Sequence, residues 1–249
     1  MKHSGCFLLV AAIAVAGCAT TIPVTELHEA IRSGSIEKAA ECLASGTDIE
    51  GRNAEGRTPL HAATEVERGD IIALLVEEGA DVNARVTGIE WTALHNTALH
   101  GDRDSVTLLL DAGADVNAED KGRRAPLIWA AGGGQLDTVR LLLERGADLG
   151  TVTAREWTPL HVACAIAYGE MIDLMIAAGA DVNAKDDKGD TPLQYSAGKG
   201  HAAGIASLLA AGADAGATNN AGETPAAHAR ARGHKTVEKT LREQRSGHE

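Results

Sequence analysis

The sequence predicts an all-helical solenoid of about seven helix–turn–helix repeats, and three observations lead there. The first is composition: the 249 residues are 44% hydrophobic but only 2% aromatic. A domain with one centre normally anchors it on several large rings, whereas a thin core of Ala, Leu, Ile and Val suits a stack of small units. The second is a period. A recurring "TPLH" pattern places its threonine at Thr25, Thr58, Thr92, Thr158, Thr191 and Thr224, with Ala125 in the remaining place. The step between anchors is thirty-three throughout, except for one step of thirty-four from Thr58 to Thr92. A "GAD"-like landmark follows at a fixed distance after each of the first six anchors, at Gly46, Gly79, Gly113, Gly146, Gly179 and Gly212. Such regularity is the mark of a repeat array, and the constant anchor-to-glycine distance puts the single extra residue between Asn83 and Trp91. The third is that the ends differ. "SIEKAAECLAS" (35–45) and "KTVEKTLREQR" (235–245) carry more charge than the central "DSVTLLLDA" (104–112), as end caps must when one side meets water.

Residues 1–17 have the form of an export signal. Lys2 supplies the positive start and "FLLVAAIAVA" (Phe7–Ala16) is a ten-residue apolar run, too short to span a bilayer as a helix. The run ends in "VAGC" (Val15–Cys18), which resembles the bacterial lipoprotein signal, in which the cysteine is lipidated and becomes the new N-terminus. An ordinary cut after Ala14-Val15-Ala16 is the alternative. By the same resemblance, Ala19 rather than Asp after the cysteine favours the outer membrane. The expectation is an exported chain, lipid-anchored at Cys18 and facing the periplasm. Residues 18–22 form a short tether. The four residues between Cys18 and Pro23 span less than about 20 Å, which keeps the first repeat close to the membrane.

Residues 23–245 make up the seven repeats, with the terminal ones as caps. In each, threonine is a good helix N-cap and proline is tolerated at the first helical position, which Pro59, Pro126, Pro159, Pro192 and Pro225 occupy. A glycine-containing turn leads to an outer helix such as "TVRLLLERG" (138–146). Gly146 and its equivalents fit a left-handed C-terminal cap. Small pairs on the inner helix, Ala62-Ala63 and Ala130-Ala131, let neighbouring repeats approach closely.

"TPLHAA" (58–63), "TALHNT" (92–97), "TPLHVA" (158–163) and "GADVNA" (79–84, 113–118, 179–184) resemble the ankyrin repeat family, from Thr25 to about Arg245. The resemblance implies antiparallel helix pairs with hairpin-like fingers at right angles, stacked into a curved solenoid. It implies structural hydrogen bonds for the motif histidines. It also implies that fingers and inner helices line a concave face used for protein partners.

Charge and spacing exclude several functions. Net charge is −12, and removal of Lys2 with the signal moves it to −13, a poor match for nucleic acid or an anionic lipid surface. His28, His61, His95 and His161 lie at least one repeat apart, about 10 Å per repeat, whereas ligands of one zinc lie about 2 Å from it. No His-Glu-x-x-His or paired Cys-x-x-Cys spacing occurs, so no metal site is expected. "AGGGQ" (131–135) and "SAGKGH" (196–201) are turns: Gly200 follows Lys199 where a phosphate loop needs Ser or Thr, and no cofactor is expected. No catalytic constellation is found, and the chain reads as a non-enzyme. Cys42 and Cys164, in repeats 1 and 5, should lie roughly 40 Å apart, too far for a disulfide.

What remains is the placement of aromatics. Trp91, Trp129, Trp157, Tyr168 and Tyr195 all fall between 91 and 195. Trp91 and Trp157 directly precede the anchor, while Trp129 and Tyr195 hold the fifth motif position, away from the core by helical spacing. Arg123 and Arg124 in "KGRR" (121–124), with Arg155, make locally basic fingers. Trp, Tyr and Arg dominate interface hot spots. Trp91, Trp129, Trp157, Tyr195, Arg123, Arg124 and Arg155 are therefore the candidate partner-binding residues, on repeats 3–6 of a chain expected to be monomeric when unbound. Trp91→Ala and Trp157→Ala are expected to weaken binding with little effect on the melting midpoint. At family level, exported bacterial relatives are associated with catalase support in oxidative stress and with toxin neutralisation. A structural or accessory envelope factor is the alternative to a binding module.

Overall fold

The computed structural model describes residues 23–246; the segments expected to be an export signal and a tether, with the expected lipidation site Cys18, lie outside the described residues. Fourteen helices follow in seven pairs: α1 (Val24–Arg32) with α2 (Ile36–Ala44), α3 (Pro59–Glu65) with α4 (Gly69–Glu77), α5 (Ala93–His100) with α6 (Arg103–Asp111), α7 (Pro126–Gly132) with α8 (Leu136–Glu144), α9 (Pro159–Ile166) with α10 (Gly169–Ala177), α11 (Pro192–Lys199) with α12 (Ala202–Ala210), and α13 (Pro225–Ala231) with α14 (Lys235–Ser246). Odd-numbered inner helices pack on one another along one layer, and even-numbered outer helices along the next.

The inner helices are short and would be marginal alone, so their ends are fixed by side chains. Thr58 caps α3, Thr92 caps α5 and Thr158 caps α9, each in a box completed by the histidine at the third helical position. In α11, Thr191 and Gln194 build the same box. Outer helices lead into a residue that turns left-handed, as at Gly146 with φ 88°, where a Cβ would strain the backbone.

The core is a thin sheet of aliphatic side chains between the two layers. Leu27, Leu60, Leu94, Leu127 and Leu160 are fully buried on successive inner helices, with Ile72, Val106, Val139 and Ile172 buried on the outer ones. Each such side chain contributes about 1.5–3 kcal/mol of burial, which the array repeats rather than concentrates. Cys42 and Cys164 are buried and free.

Between repeats the chain makes a finger. Its base is a backbone bond from the first turn residue to the residue before the anchor: Asn53 N to Arg57 O, Asp120 N to Arg124 O, Thr153 N to Trp157 O, Asp186 N to Asp190 O and Asn219 N to Glu223 O. The side chain of that first turn residue then accepts two further backbone N–H groups, at Oδ1 of Asn53, Asp120, Asp186 and Asn219. Neighbouring tips are linked by backbone bonds, such as Ala154 N to Gly122 O at 2.9 Å. The second finger carries the extra residue: Val86 N bonds Trp91 O across five positions instead of four.

Candidate functional site

Three junctions bring three positions together on the finger side: the residue before one anchor, the first turn residue of the next finger, and the fifth motif residue of the next inner helix. At two junctions, two repeats apart, these positions form the same aromatic cluster.

At the junction of repeats 3 and 4, Trp91 Nε1 and Trp129 Nε1 both donate to Asp120 Oδ2, each at 3.1 Å. The rings meet edge-on with centroids 4.6 Å apart. Arg124 Nε donates to the same Oδ2 at 2.9 Å, and its guanidinium lies 4.1 Å from the Trp129 ring centre. Asp120 is 5% exposed. Burial pushes its carboxyl up, but backbone bonds from Arg124 and Gly122, the Arg124 charge and the Trp129 indole outweigh it and hold the group below its ordinary value.

At the junction of repeats 5 and 6, Trp157 Nε1 donates to Asp186 Oδ2 at 3.1 Å and the Tyr195 hydroxyl donates to the same oxygen at 2.6 Å. Their rings meet edge-on at 4.7 Å. Burial and the Asp186 carboxylate push the Tyr195 phenol well above its usual range, so it stays a donor at any physiological pH. The aspartate divides its labour in both clusters: Oδ1 closes the finger and Oδ2 collects the rings. A third junction inverts the polarity. Asn219 closes the last finger with Oδ1, and its Nδ2 donates to Asp190 Oδ1 at 2.7 Å and to Glu223 Oε2 at 3.3 Å, with His228 beside them.

The sequence profile described as "Ankyrin repeats (3 copies)" matches residues 5–86, 27–120, 84–153, 127–219 and 160–248. The chain belongs to the ankyrin repeat family. Its fold is similar to the ankyrin repeat domain of Bcl-3, described as a unique member of the IkappaB protein family, with a TM-score of 0.76 and 29% identity over 87% of this chain and 97% of that one. Among curated proteins it is similar to the NF-kappa-B inhibitor cactus of Drosophila yakuba and of Drosophila melanogaster. Each is 40% identical over 77 residues, 28% of this chain but only 16% and 15% of those proteins. Ankyrin repeat proteins are generally non-enzymatic binding modules.

The ankyrin motif histidines are scaffold by geometry. His61 Nδ1 accepts from Thr58 N–H and hydroxyl, while Nε2–H donates to Trp91 O of the next repeat at 3.1 Å. His95 does the same from Thr92 to Arg124 O, and His161 from Thr158 to Asp190 O. Both ring nitrogens are committed in the neutral form. Burial pushes His61 and His95 down to about 4 against the opposing pull of their carbonyl bonds. The "GAD" aspartates are likewise bound to their own turns, as Asp115 Oδ1 is to Asn117 N–H.

Of the candidate residues, the structure brings Trp91, Trp129 and Arg124 into one cluster and Trp157 and Tyr195 into the other. Arg123 stays outside: it is exposed at a left-handed finger position, φ 59°, and 3.9 Å from Glu119. Arg155 is an exposed fingertip whose carbonyl accepts from Asp187 N. The expectation that Trp91 and Trp157 can be truncated at little cost to stability is corrected: each indole is half-buried and bonds a buried carboxylate, so truncation strands an acceptor. Tyr168 sits apart, as the N-cap residue of α10. Sequence reasoning missed Asp120 and Asp186. The available signal was spacing: each lies 29 positions after one aromatic and nine before the next.

Proposed function

We propose that this chain is a non-enzymatic binding module that holds a protein partner on the concave face of repeats 3–6, presented in a bacterial envelope by lipid on Cys18. One observation carries the reading: the same aromatic–aspartate cluster recurs two repeats apart on one face. Half-buried rings fixed by a shared acceptor offer rigid contact area at low entropic cost, the property that makes Trp and Tyr interface anchors. Two such anchors lie roughly 20 Å apart at two stacked layers, which suits a folded or extended protein surface rather than a small molecule. The relatives' designation as inhibitors of NF-kappa-B favours a protein as the bound species.

The test separates binding from scaffold. Trp91→Phe with Trp157→Phe keeps an aromatic ring but removes both indole donors and shortens the exposed edge. Quantified co-isolation from envelope extract should show at least a fivefold loss of the partner, with the far-ultraviolet dichroism retained. An undiminished yield removes the aromatic clusters from the interface. For the anchor, the mass of the N-terminal peptide should be that of a chain beginning at acylated Cys18; an unmodified start at Gly17 overturns it.

A further inference from the structure

Neighbouring repeats touch at recurring pairs of positions, counted here from the anchor. The seventh residue of one repeat meets the fifth of the next, as Asn96 Nδ2 donates to Thr64 Oγ1 at 3.1 Å. The nineteenth meets the seventeenth, since Val76 and Leu108 line one hollow between repeats 2 and 3. The fifteenth meets the fourteenth, because a Cβ on Gly204 would run into Ile172 of the repeat before. Across repeats 2–6 all six positions are uncharged.

The same positions change character where they face outward at the two ends. On repeat 1, the fifth, fourteenth and seventeenth residues are Glu29, Lys38 and Glu41, all exposed. Glu41 stands where repeats 2–5 carry Leu74, Leu108, Leu141 and Leu174. On repeat 7, the seventh, fifteenth and nineteenth residues are Arg230, Glu238 and Arg242. Arg242 stands where Val76, Leu110, Leu143, Ile176 and Leu209 do, and its Nη2 lies 2.7 Å from Glu238 Oε1. A hollow of about 450 Å³ on this last repeat is lined by Arg230, Arg242 and Arg245 and, among the described residues, by no carboxylate.

Laid on one another by the internal pairing rule, the two faces match in sign. Arg230 falls opposite Glu29, Arg242 opposite Glu41, and Glu238 opposite Lys38. One like pair opposes these three: Gly69 abuts Ser105, and the equivalent positions hold Lys235 and Lys38. An end cap needs polar residues to meet water, but water does not require that the two caps be complementary. A net charge of −12 makes side-by-side contacts between copies repulsive and leaves attraction to the ends.

We propose that a second copy of this chain docks end to end, the outer face of its repeat 1 stacking on repeat 7 as a further repeat would. The contact is head-to-tail, so it propagates into filaments or closes into rings. It lies outside repeats 3–6 and is independent of the partner-binding reading, and it departs from the expectation of a monomer.

Sedimentation velocity of the full chain tests this. At about 0.01 M salt, where the Debye length is about 30 Å, the weight-average mass should reach at least twice that of one chain and fall on hundredfold dilution. At about 1 M salt, where that length is about 3 Å, single chains should remain. Glu29→Arg/Glu41→Arg makes both ends basic, and Arg230→Glu/Arg242→Glu makes both acidic. Each variant alone should stay monomeric at low salt with the parent's far-ultraviolet dichroism. Mixed one to one they should associate again, because each reversed end finds its complement on the other variant. A parent that is monomeric throughout at low salt overturns the proposal. So does association that persists at high salt or in either variant alone, or a mixture that stays monomeric. Trp91→Phe with Trp157→Phe should leave the association unchanged, so loss of the partner and loss of end-to-end contact are read separately.

Discussion

The two aromatic junctions are built on the same three positions, two repeats apart, yet they face different fates. At repeats 3 and 4, Asp120 gathers three side-chain donors on one oxygen, and Arg124 closes over the Trp129 ring. At repeats 5 and 6, Asp186 gathers two, and the residue equivalent to Arg124 is Asp190, which turns toward Asn219 and His228 instead. The first cluster is thus braced by its own cation, while the second has none. One scaffold position, occupied by Arg or by Asp, decides whether a pair of rings carries a stacked cation or stands without one.

The largest break in that comparison should come from the aspartates. Asp120→Ala leaves five donors without their acceptor, against four for Asp186→Ala. Removing a buried, hydrogen-bonded charge costs about 3–5 kcal/mol, so Asp120→Ala should lower the melting midpoint by roughly 10 °C at about 2–4 °C per kcal/mol. Asp186→Ala should fall short of that, and equal losses would erase the distinction between the clusters. Asp120→Asn should cost nearly as much as Ala, because its amide would face three donors. The last finger already shows that pairing reversed, with Asn219 facing acceptors.

A smaller effect tests the histidine ladder that both clusters share. His61 and His95 titrate near 4 in the folded chain and near 6.5 when unfolded. The unfolded chain therefore binds more protons between those values, and stability present above pH 6.5 is lost progressively as pH falls toward 4. By pH 5 each contributes a loss of about 2 kcal/mol, readable as a falling midpoint in thermal melts. Gln194 does the same work in repeat 6, accepting from Thr191 N–H and donating to Glu223 O. His95→Gln should accordingly keep the neutral-pH stability within about 1 kcal/mol and flatten the acid slope; an unchanged slope would place the titration elsewhere.

The next effect concerns the ring donors. Trp91→Phe and Trp157→Phe each remove one hydrogen bond to a charged acceptor, worth about 1.5–3 kcal/mol. The loss should be smaller at Trp91, where Asp120 keeps two side-chain donors, than at Trp157, where Asp186 keeps one. Urea midpoints of the two variants measure the order. The smallest change should come from repeat 4, where Ala125 and Ile128 replace the Thr–His pair and Trp157 O accepts the Thr153 N–H bond without a histidine beneath it. Ala125→Thr with Ile128→His restores the missing rung and should raise stability by about 1 kcal/mol; a fall in the urea midpoint would mean that the buried Ile128 contact outweighs the ladder.

Much of this architecture was legible because it is local and periodic. A threonine, a proline and a glycine at fixed offsets specify where each helix begins and ends, and seven copies fix the period. The position of the extra residue followed from the same count, and the structure places it in the turn between Val86 and Trp91. Trp91, Trp129, Trp157 and Tyr195 stood out as rings that the motif does not require. Their pairing did not, because each cluster draws on three segments spread over more than one repeat, and an aspartate in a finger reads like any polar turn residue. Arg123 and Arg124 are adjacent in sequence and looked equivalent; only the finger's backbone sends one outward and the other onto a tryptophan.

The sequence by itself determined the repeat, its caps and the thin aliphatic core, since hydrogen-bond capping, proline geometry and glycine freedom act within a few residues. Tertiary structure alone decided which rings meet and which carboxylate they share. Those outcomes depend on distances across stacked repeats, where a contact of 3.1 Å joins side chains 29 positions apart.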